Sequence, residues 1–555
     1  MSDRRERGTH GLYVLDATGG EARALVVRSG SVEALAWSPD GARIAFLAPD
    51  EPTEEDKRRK KERDDPDVYG ERWEHHRLWF VDAAGGEPEA GWAPPRHLTA
   101  LAWSPDGSRL ALVAQDAPPE EYLESTAVHV FTPSTGDSHA VTAWPFISDV
   151  GWSGPDLLVY AAPHEVVPQS SGTVWAVPAE GGDPQVIGTG RDEPRCTDGL
   201  AHAANAEWAM LVVAEGLATR LERLSPQTGE RTVVQDIMGE VDGLSVTDTP
   251  DGPVIAAVRL GDELVARLVA GPPGALRPLS DHGAHLEHVP LGTVEALYCT
   301  ASDGIDIDAA VIRPPLAGDG PWPTAVLVHG GPYGRSGLWS HAHPLDWGQL
   351  LATHGYAVVL PNYRGGYGHG NAFATSVRGD MGGAEWGDVV AIVDAAIAAG
   401  IADPDRMGIG GWSQGGFLTA WAVTATDRFK VGVMGAGVSD WGMLAATSDL
   451  PAFETALGGD NRWDGPGPHH ADAHSPISFA ARRATPLLIL HGAEDKRVPF
   501  TQATAFYRAI RGQAAPVELV SYPREPHGIR ERRHQIDVQR RVLEWFDRYV
   551  RRGAP

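Results

Sequence analysis

Two signals predict an N-terminal β-propeller of about five to seven blades, the first incomplete, followed by a C-terminal α/β-hydrolase domain. One signal is an internal duplication in the first half of the chain. The other is a strand–turn–helix carrying Gly-x-Ser-x-Gly, with an acid and a histidine placed downstream of it.

The duplication is read from two motifs. Ala36-Trp-Ser-Pro-Asp-Gly41 returns as Ala102-Trp-Ser-Pro-Asp-Gly107, and a decayed copy stands at Gly151-Trp-Ser-Gly-Pro-Asp156. Leu12-Tyr-Val-Leu-Asp-Ala-Thr-Gly-Gly-Glu21 returns as Leu78-Trp-Phe-Val-Asp-Ala-Ala-Gly-Gly-Glu87. Both pairs lie 66 residues apart, so one whole unit has been copied. Apolar runs follow each Pro-Asp-Gly turn, as in Arg43-Ile-Ala-Phe-Leu47 and Arg109-Leu-Ala-Leu-Val113, and the Gly-Gly-acid triplets supply hairpin turns. Four short strands per unit, repeated at this scale, make propeller blades. The recurring tryptophan is expected to pack between blades. Five nearly complete units can be traced, with a leading half unit from Gly11 to about Arg28. A closed propeller needs whole blades, so an N-terminal truncation relative to relatives, or an open ring, is expected. Glu54-Glu-Asp-Lys-Arg-Arg-Lys-Lys-Glu-Arg-Asp-Asp65 mixes charges with no apolar residue and reads as a solvated loop or short exposed helix.

A Gly-, Pro- and His-rich junction follows, and the domain boundary is set there: residues 1–285 for the propeller and 286–555 for the second domain. Beyond it, apolar strands alternate with helical segments, as a mostly parallel sheet requires. A helix is expected from Trp386 to Ala399, with Asp388 and Asp394 on its polar side. Gly411-Trp-Ser-Gln-Gly415, with Gly416 after it, sits between a short apolar strand and a helix. A serine on such a turn is held in a strained conformation with its hydroxyl clear of the sheet, and the flanking glycines leave room for neighbouring backbone. Leu487-Leu-Ile-Leu-His-Gly-Ala-Glu-Asp495 ends a strand in an acid, and Tyr522-Pro-Arg-Glu-Pro-His-Gly528 supplies a histidine. The order Ser413, Asp495, His527 is that of an α/β-hydrolase triad. Glu494 is the rival acid, and His491 and His534 are rival bases. Backbone N–H groups of the His329-Gly-Gly-Pro loop, with that of Gln414, are placed to form an oxyanion hole.

Composition bounds the partners. A formal net charge of −27 argues against nucleic acid and anionic membranes. Two cysteines, Cys196 and Cys299, make no disulfide framework, and a cytoplasmic location is the simpler reading. No apolar signal core or membrane-length apolar run is found. The chemistry asks for no metal and no cofactor.

The pairing of Trp-Ser-Pro-Asp-Gly blades with His329-Gly-Gly-Pro, Gly411-Trp-Ser-Gln-Gly-Gly416, His491-Gly-Ala-Glu-Asp-Lys-Arg-Val-Pro499 and Pro526-His-Gly528 resembles the prolyl oligopeptidase family, its acylaminoacyl-peptidase branch most of all. The likeness covers essentially the whole chain and is most specific over residues 293–555. It implies a serine peptidase acting on short peptides, as an oligopeptidase or exopeptidase. Ser413 would be its nucleophile, Asp495 the orienting acid and His527 the general base. It further implies that Arg497 holds a substrate carbonyl. Several relatives carry a tyrosine where this chain has His329, so the anion site here falls to Gly330, Gly331 and Gln414; Tyr333 is not the matching position. Dipeptidyl peptidases of the family hold the substrate amine with paired glutamates just before a blade motif. Glu120-Glu121 follows one instead and reads as an exposed loop. An esterase-like acyl hydrolase on the same triad is the alternative. A homo-oligomer is expected because unpaired strand edges at the incomplete blade invite pairing.

Overall fold

The computed structural model describes residues 1–3, 9–118, 120–167, 169–202, 208–261, 263–315 and 318–551. In the first half, five four-stranded antiparallel sheets follow one another in sequence, preceded by a two-stranded unit, Leu12–Val14 with Arg23–Val26. The half unit and the five blades of the repeat pattern correspond to these six sheets.

The Ser-Pro-Asp-Gly motif is a self-contained turn. Ser38 Oγ donates to Asp40 Oδ1 at 2.6 Å, and the same carboxyl accepts the Ala42 N–H. Gly41 closes the turn at φ +69°, where a side chain would be strained. Ser104, Asp106 and Gly107 repeat the arrangement in blade two. The tryptophan that precedes each turn links blades. Trp103 Nε1 donates to Ala36 O of blade one, and Trp152 Nε1 donates to Ala102 O of blade two. Trp37 has no four-stranded blade before it and is 47% exposed.

The inner strands of all five blades line a central cavity of about 290 Å³. The half unit packs Leu12, Leu25 and Val26 against Ile44 and Phe46 of blade one. Blade five is covered on one face only. Ile255 clusters with Met210 and Leu221 of blade four and Val269 is buried, whereas Val258 and Leu268, pointing the other way, are exposed. The central strand of blade two, Leu110–Gln115, is by contrast buried at every residue. The charged segment forms the exposed helix Glu54–Glu62, opened by a Thr53–Asp56 capping box.

The last blade strand ends at Pro278, and an eight-stranded sheet begins at Thr293. Its order is Thr293–Thr300, Asp306–Arg313, Ala357–Asn362, Trp322–Val328, Ala402–Trp412, Val431–Gly435, Leu487–Gly492 and Val517–Tyr522. The first two neighbouring pairs are antiparallel and the rest parallel, with Trp322–Val328 crossing to the centre beside the serine strand. One face packs against the helices Ala384–Ala398 and Gln414–Ala425, the other against Arg532–Phe546. One sequence expectation is corrected here. Asp394 is exposed and pairs with Arg428, but Asp388 is fully buried and holds Arg364 through both oxygens.

Direct bonds join the two halves. Asn371, on a short helix of the sheet domain, accepts from Ser170 Oγ at 2.8 Å and Ser171 N–H at 2.9 Å, and donates to Glu165 at 2.7 Å. Arg335 donates to the carbonyls of Gly216 and Ala218 and to Thr219 Oγ1. The propeller is thereby fixed over the carboxyl ends of the parallel strands, where open α/β sheets carry their sites.

Candidate active site

Ser413 lies between the strand Ala402–Trp412 and the helix Gln414–Ala425 at φ 60° and ψ −116°. That conformation lies outside the comfortable regions for a residue with a Cβ, and the surrounding backbone holds it there. Ser413 N–H donates to Gly435 O of the next strand at 2.9 Å. The glycines around it are there for space. A Cβ on Gly415 would stand 2.0 Å from Val328 O, one on Gly411 2.3 Å from the same atom, and one on Gly416 2.4 Å from Gly435 O.

His527, on the loop between Val517–Tyr522 and Arg532–Phe546, brings Nε2 to 2.9 Å from Ser413 Oγ. Its Nδ1 lies 2.8 Å from Asp495 Oδ2. Since a carboxylate can only accept, Nδ1 carries the proton and Nε2 offers a lone pair to the serine hydroxyl. Trp412 Nε1 donates to His527 O at 2.8 Å, so the residue before Ser413 also fixes the loop that carries His527. Asp495 accepts the Val498 N–H at Oδ1 and lies 3.3 Å from His491 Nε2. Burial works against its charge, yet hydrogen bonds from His491 and His527 prevail and bring it down to about 2. Asp495 is thus a carboxylate throughout the neutral range.

The competing residues are committed elsewhere. Glu494 is exposed. His491 is buried on the strand Leu487–Gly492 and donates to Val498 O, while His534 contacts Glu525 at 2.6 Å.

The strand Trp322–Val328 delivers His329, Gly330 and Gly331 beside the serine. A Cβ on Gly330 would stand 3.5 Å from Ser413 Cβ, and Gly331 takes φ +129°. Gln414 is the first helical residue, so its N–H is one of those that an α-helix leaves without an internal acceptor. His329 is stacked on Tyr363 with ring centroids 4.2 Å apart, and its Nδ1 donates to Gly330 O at 2.8 Å. Burial pushes His329 down to about 4, so it is neutral at physiological pH. Tyr333 turns the other way, its hydroxyl accepting the Gly172 N–H of blade three.

Arg497 pairs with Asp449, which follows the short helix Trp441–Thr447. Its Nε meets Asp449 Oδ1 at 2.6 Å, and its carbonyl accepts from Ser448 Oγ. The side chains of Glu120 and Glu121 lie outside the described residues. The site also contains residues that sequence reasoning did not single out. Glu385, fully buried, accepts from Gly382 N–H and from the side chain of Gln414. Nothing local marks it, because its partner stands 29 positions further along.

Among the described residues, Glu525, Glu531 and His534 bring ligand atoms close enough for a metal. The buried Glu525 oxygens are already taken by the Arg530 and Glu531 N–H groups and by His534.

No described helix is long and apolar enough to cross a membrane. Residues 346–553 match the prolyl oligopeptidase family. The uncharacterized peptidase YuxL of Bacillus subtilis is 34% identical over 277 residues, which make up 48% of this chain and 40% of that relative. Dipeptidyl-peptidase 5 of Porphyromonas gingivalis is 25% identical over 503 residues, covering 85% of this chain and 70% of the relative. Among solved structures, Pyrococcus horikoshii acylaminoacyl peptidase superposes with a TM-score of 0.78 at 19% identity, over 98% of this chain and 86% of that one. At that identity the likeness speaks for the shared fold. The strand–serine–helix turn lies within residues 346–553, the part of the chain that is similar to the prolyl oligopeptidase family.

Proposed function

We propose that this chain is a serine peptidase that hydrolyses short peptides in the manner of an acylaminoacyl peptidase, through an acyl-enzyme on Ser413. The observation that carries this reading is the Ser413–His527–Asp495 relay, with contacts of 2.9 and 2.8 Å. A serine hydroxyl is a poor nucleophile until a base takes its proton. In the proposed reaction His527 Nε2 accepts that proton as Oγ attacks the scissile carbonyl carbon, and Asp495 stabilises the imidazolium. The carbonyl oxygen becomes an anion held by N–H groups of Gly330 or Gly331 and of Gln414. His527 then gives its proton to the departing amine, and the C–N bond breaks to leave the acyl-serine. Water, deprotonated by His527, repeats the sequence and frees the acid.

The propeller supports a preference for short chains, because it is bonded across the end of the sheet that carries Ser413. A cavity of about 470 Å³ lies between blades three and four and Tyr333 of the glycine loop, a size suited to a few residues of peptide. The uncovered face of blade five supports association of two copies. The test is digestion of a peptide library by the wild type and by Ser413→Ala, read by mass spectrometry. Cleavage of short peptides by the wild type alone is expected. Equal cleavage by both proteins would overturn the proposal.

A further inference from the structure

The anion site has a support that its own residues do not reveal. Glu385 is the second residue of the helix Ala384–Ala398 and is 0% exposed. Its Oε1 accepts the Gly382 N–H at 2.8 Å. The Gln414 side-chain amide, itself 2% exposed, reaches both carboxyl oxygens, at 3.4 and 3.2 Å. Gln414 follows the nucleophile directly, and its backbone N–H is the one assigned above to the developing oxyanion. The carboxyl therefore grips the side chain of the residue whose main chain must point at the reacting oxygen.

The surroundings bear on the other arm of the site as well. Tyr363 donates to His329 O at 2.8 Å and stacks on the ring that holds Gly330 O. Burial, with the Glu385 charge adding to it, drives the Tyr363 hydroxyl far above its ordinary range. Burial likewise pushes the Glu385 carboxyl up to about 8, against the hydrogen bonds from Gly382 and Gln414 and with the help of Asp380 and Asp388. Asp388 is neutralised by Arg364, and Asp380 caps Ala384 N–H.

We propose that Glu385 is a positioning residue of the anion site, fixing the Gln414 N–H toward the scissile carbonyl oxygen through its grip on the Gln414 side chain. The inference rests on the peptidase reading above. A donor must lie within a few tenths of an ångström of its working position to stabilise a transition state. Removing an oxyanion donor outright costs roughly 10²–10³ in kcat, so loosening one is expected to cost about tenfold.

The experiment is a double-mutant cycle on the full chain, with a chromogenic peptide as substrate. Gln414→Ala keeps the backbone N–H and removes the grip; Glu385→Ala and the milder Glu385→Gln remove or mismatch its partner. Each single variant is expected to lower kcat by about three- to tenfold with KM little changed. In the Gln414→Ala background, either change at Glu385 is expected to add nothing further, because the two act as one unit. Losses that multiply, or a fall in KM-dependent steps alone, would overturn the proposal. Glu385→Gln keeps the cycle available if Glu385→Ala does not fold. Fluorophosphonate labelling of the wild type separates the two levels. If Ser413 takes the label and the cycle multiplies, only the positioning role fails; if Ser413 takes none, the peptidase reading fails first.

Discussion

Replacing Asp495 by Asn should cut kcat by about 10⁴, the loss associated with holding a catalytic imidazole in the wrong tautomer. The structure says which way the new amide would turn. Asp495 Oδ1 accepts the Val498 N–H at 3.0 Å, and Oδ2 faces His527 Nδ1 at 2.8 Å, both in a buried setting. If Asn kept its oxygen on Val498, its NH₂ group would face Nδ1 and force that nitrogen to accept. The imidazole proton would then move to Nε2 and point at Ser413 Oγ, leaving no base. The opposite orientation sets the NH₂ group against the Val498 N–H, an unsatisfied pair of buried donors that costs about 1–3 kcal/mol. The tautomer loss is the cheaper state for the fold and the fatal one for catalysis. Tenfold in rate is about 1.4 kcal/mol, so the predicted loss is about 5–6 kcal/mol of transition-state stabilisation. Steady-state hydrolysis of a chromogenic peptide measures it, with Glu494→Gln as control; Glu494 is exposed and should leave kcat within about twofold of wild type. A loss below tenfold in Asp495→Asn, or a comparable loss in Glu494→Gln, would refute the assignment of the acid. Asp495 also bears on acid stability: its charge stabilises the fold above the ordinary carboxylate range, and that contribution disappears as pH falls toward 2. The Asn variant should lack this part of the acid limb in a pH series of Tm.

Gly415→Ala sets a Cβ 2.0 Å from a backbone oxygen, so helix and strand must part by about 1 Å; displacement of that size can cost about 10² in rate, and wild-type kcat would discount the packing argument. Arg497→Ala should cut peptide hydrolysis by roughly 10–100-fold more than hydrolysis of a small activated ester, because a guanidinium–carbonyl bond is worth about 1.5–3 kcal/mol. Equal losses on both substrates would make Arg497 only the partner of Asp449. Asn371→Ala removes four bonds across the two halves and should increase protease nicking near the junction and cleavage of longer peptides; unchanged patterns in both would show that docking rests elsewhere. If the propeller gates access, a short chromogenic peptide should be cut far faster than a denatured protein, and light scattering should show an association that Leu268→Glu weakens. A monomer that digests both substrates alike would remove the gate and the association together.

Much of the fold was legible because its signals are local. The Ser-Pro-Asp-Gly turn closes through bonds two to five residues long, and the serine turn is announced by the glycines that its crowding demands. The repeat pattern carries five units and a leading half, within the expected range of about five to seven blades. What escaped notice depends on partners remote in sequence. Asp388 has the spacing of a solvent-facing helix residue, yet its partner Arg364 lies in the turn after the strand Ala357–Asn362, 24 positions away. Glu385 resembles any helix-starting acid until Gln414 is seen against it. Arg497 was placed by resemblance at a substrate carbonyl, and only the packed loop shows Asp449 beside it. Trp37 carries the same motif as Trp103 and remains exposed, because what decides its burial is the presence of a preceding blade.

The central claim is that Ser413 is the nucleophile of this chain, activated by His527. It is tested most directly by treating the protein with an active-site-directed fluorophosphonate and locating the adduct by peptide mass spectrometry. A single stoichiometric adduct on Ser413 is expected, lost in Ser413→Ala and strongly slowed in His527→Ala. An adduct on another residue, or labelling undiminished in either variant, would contradict it.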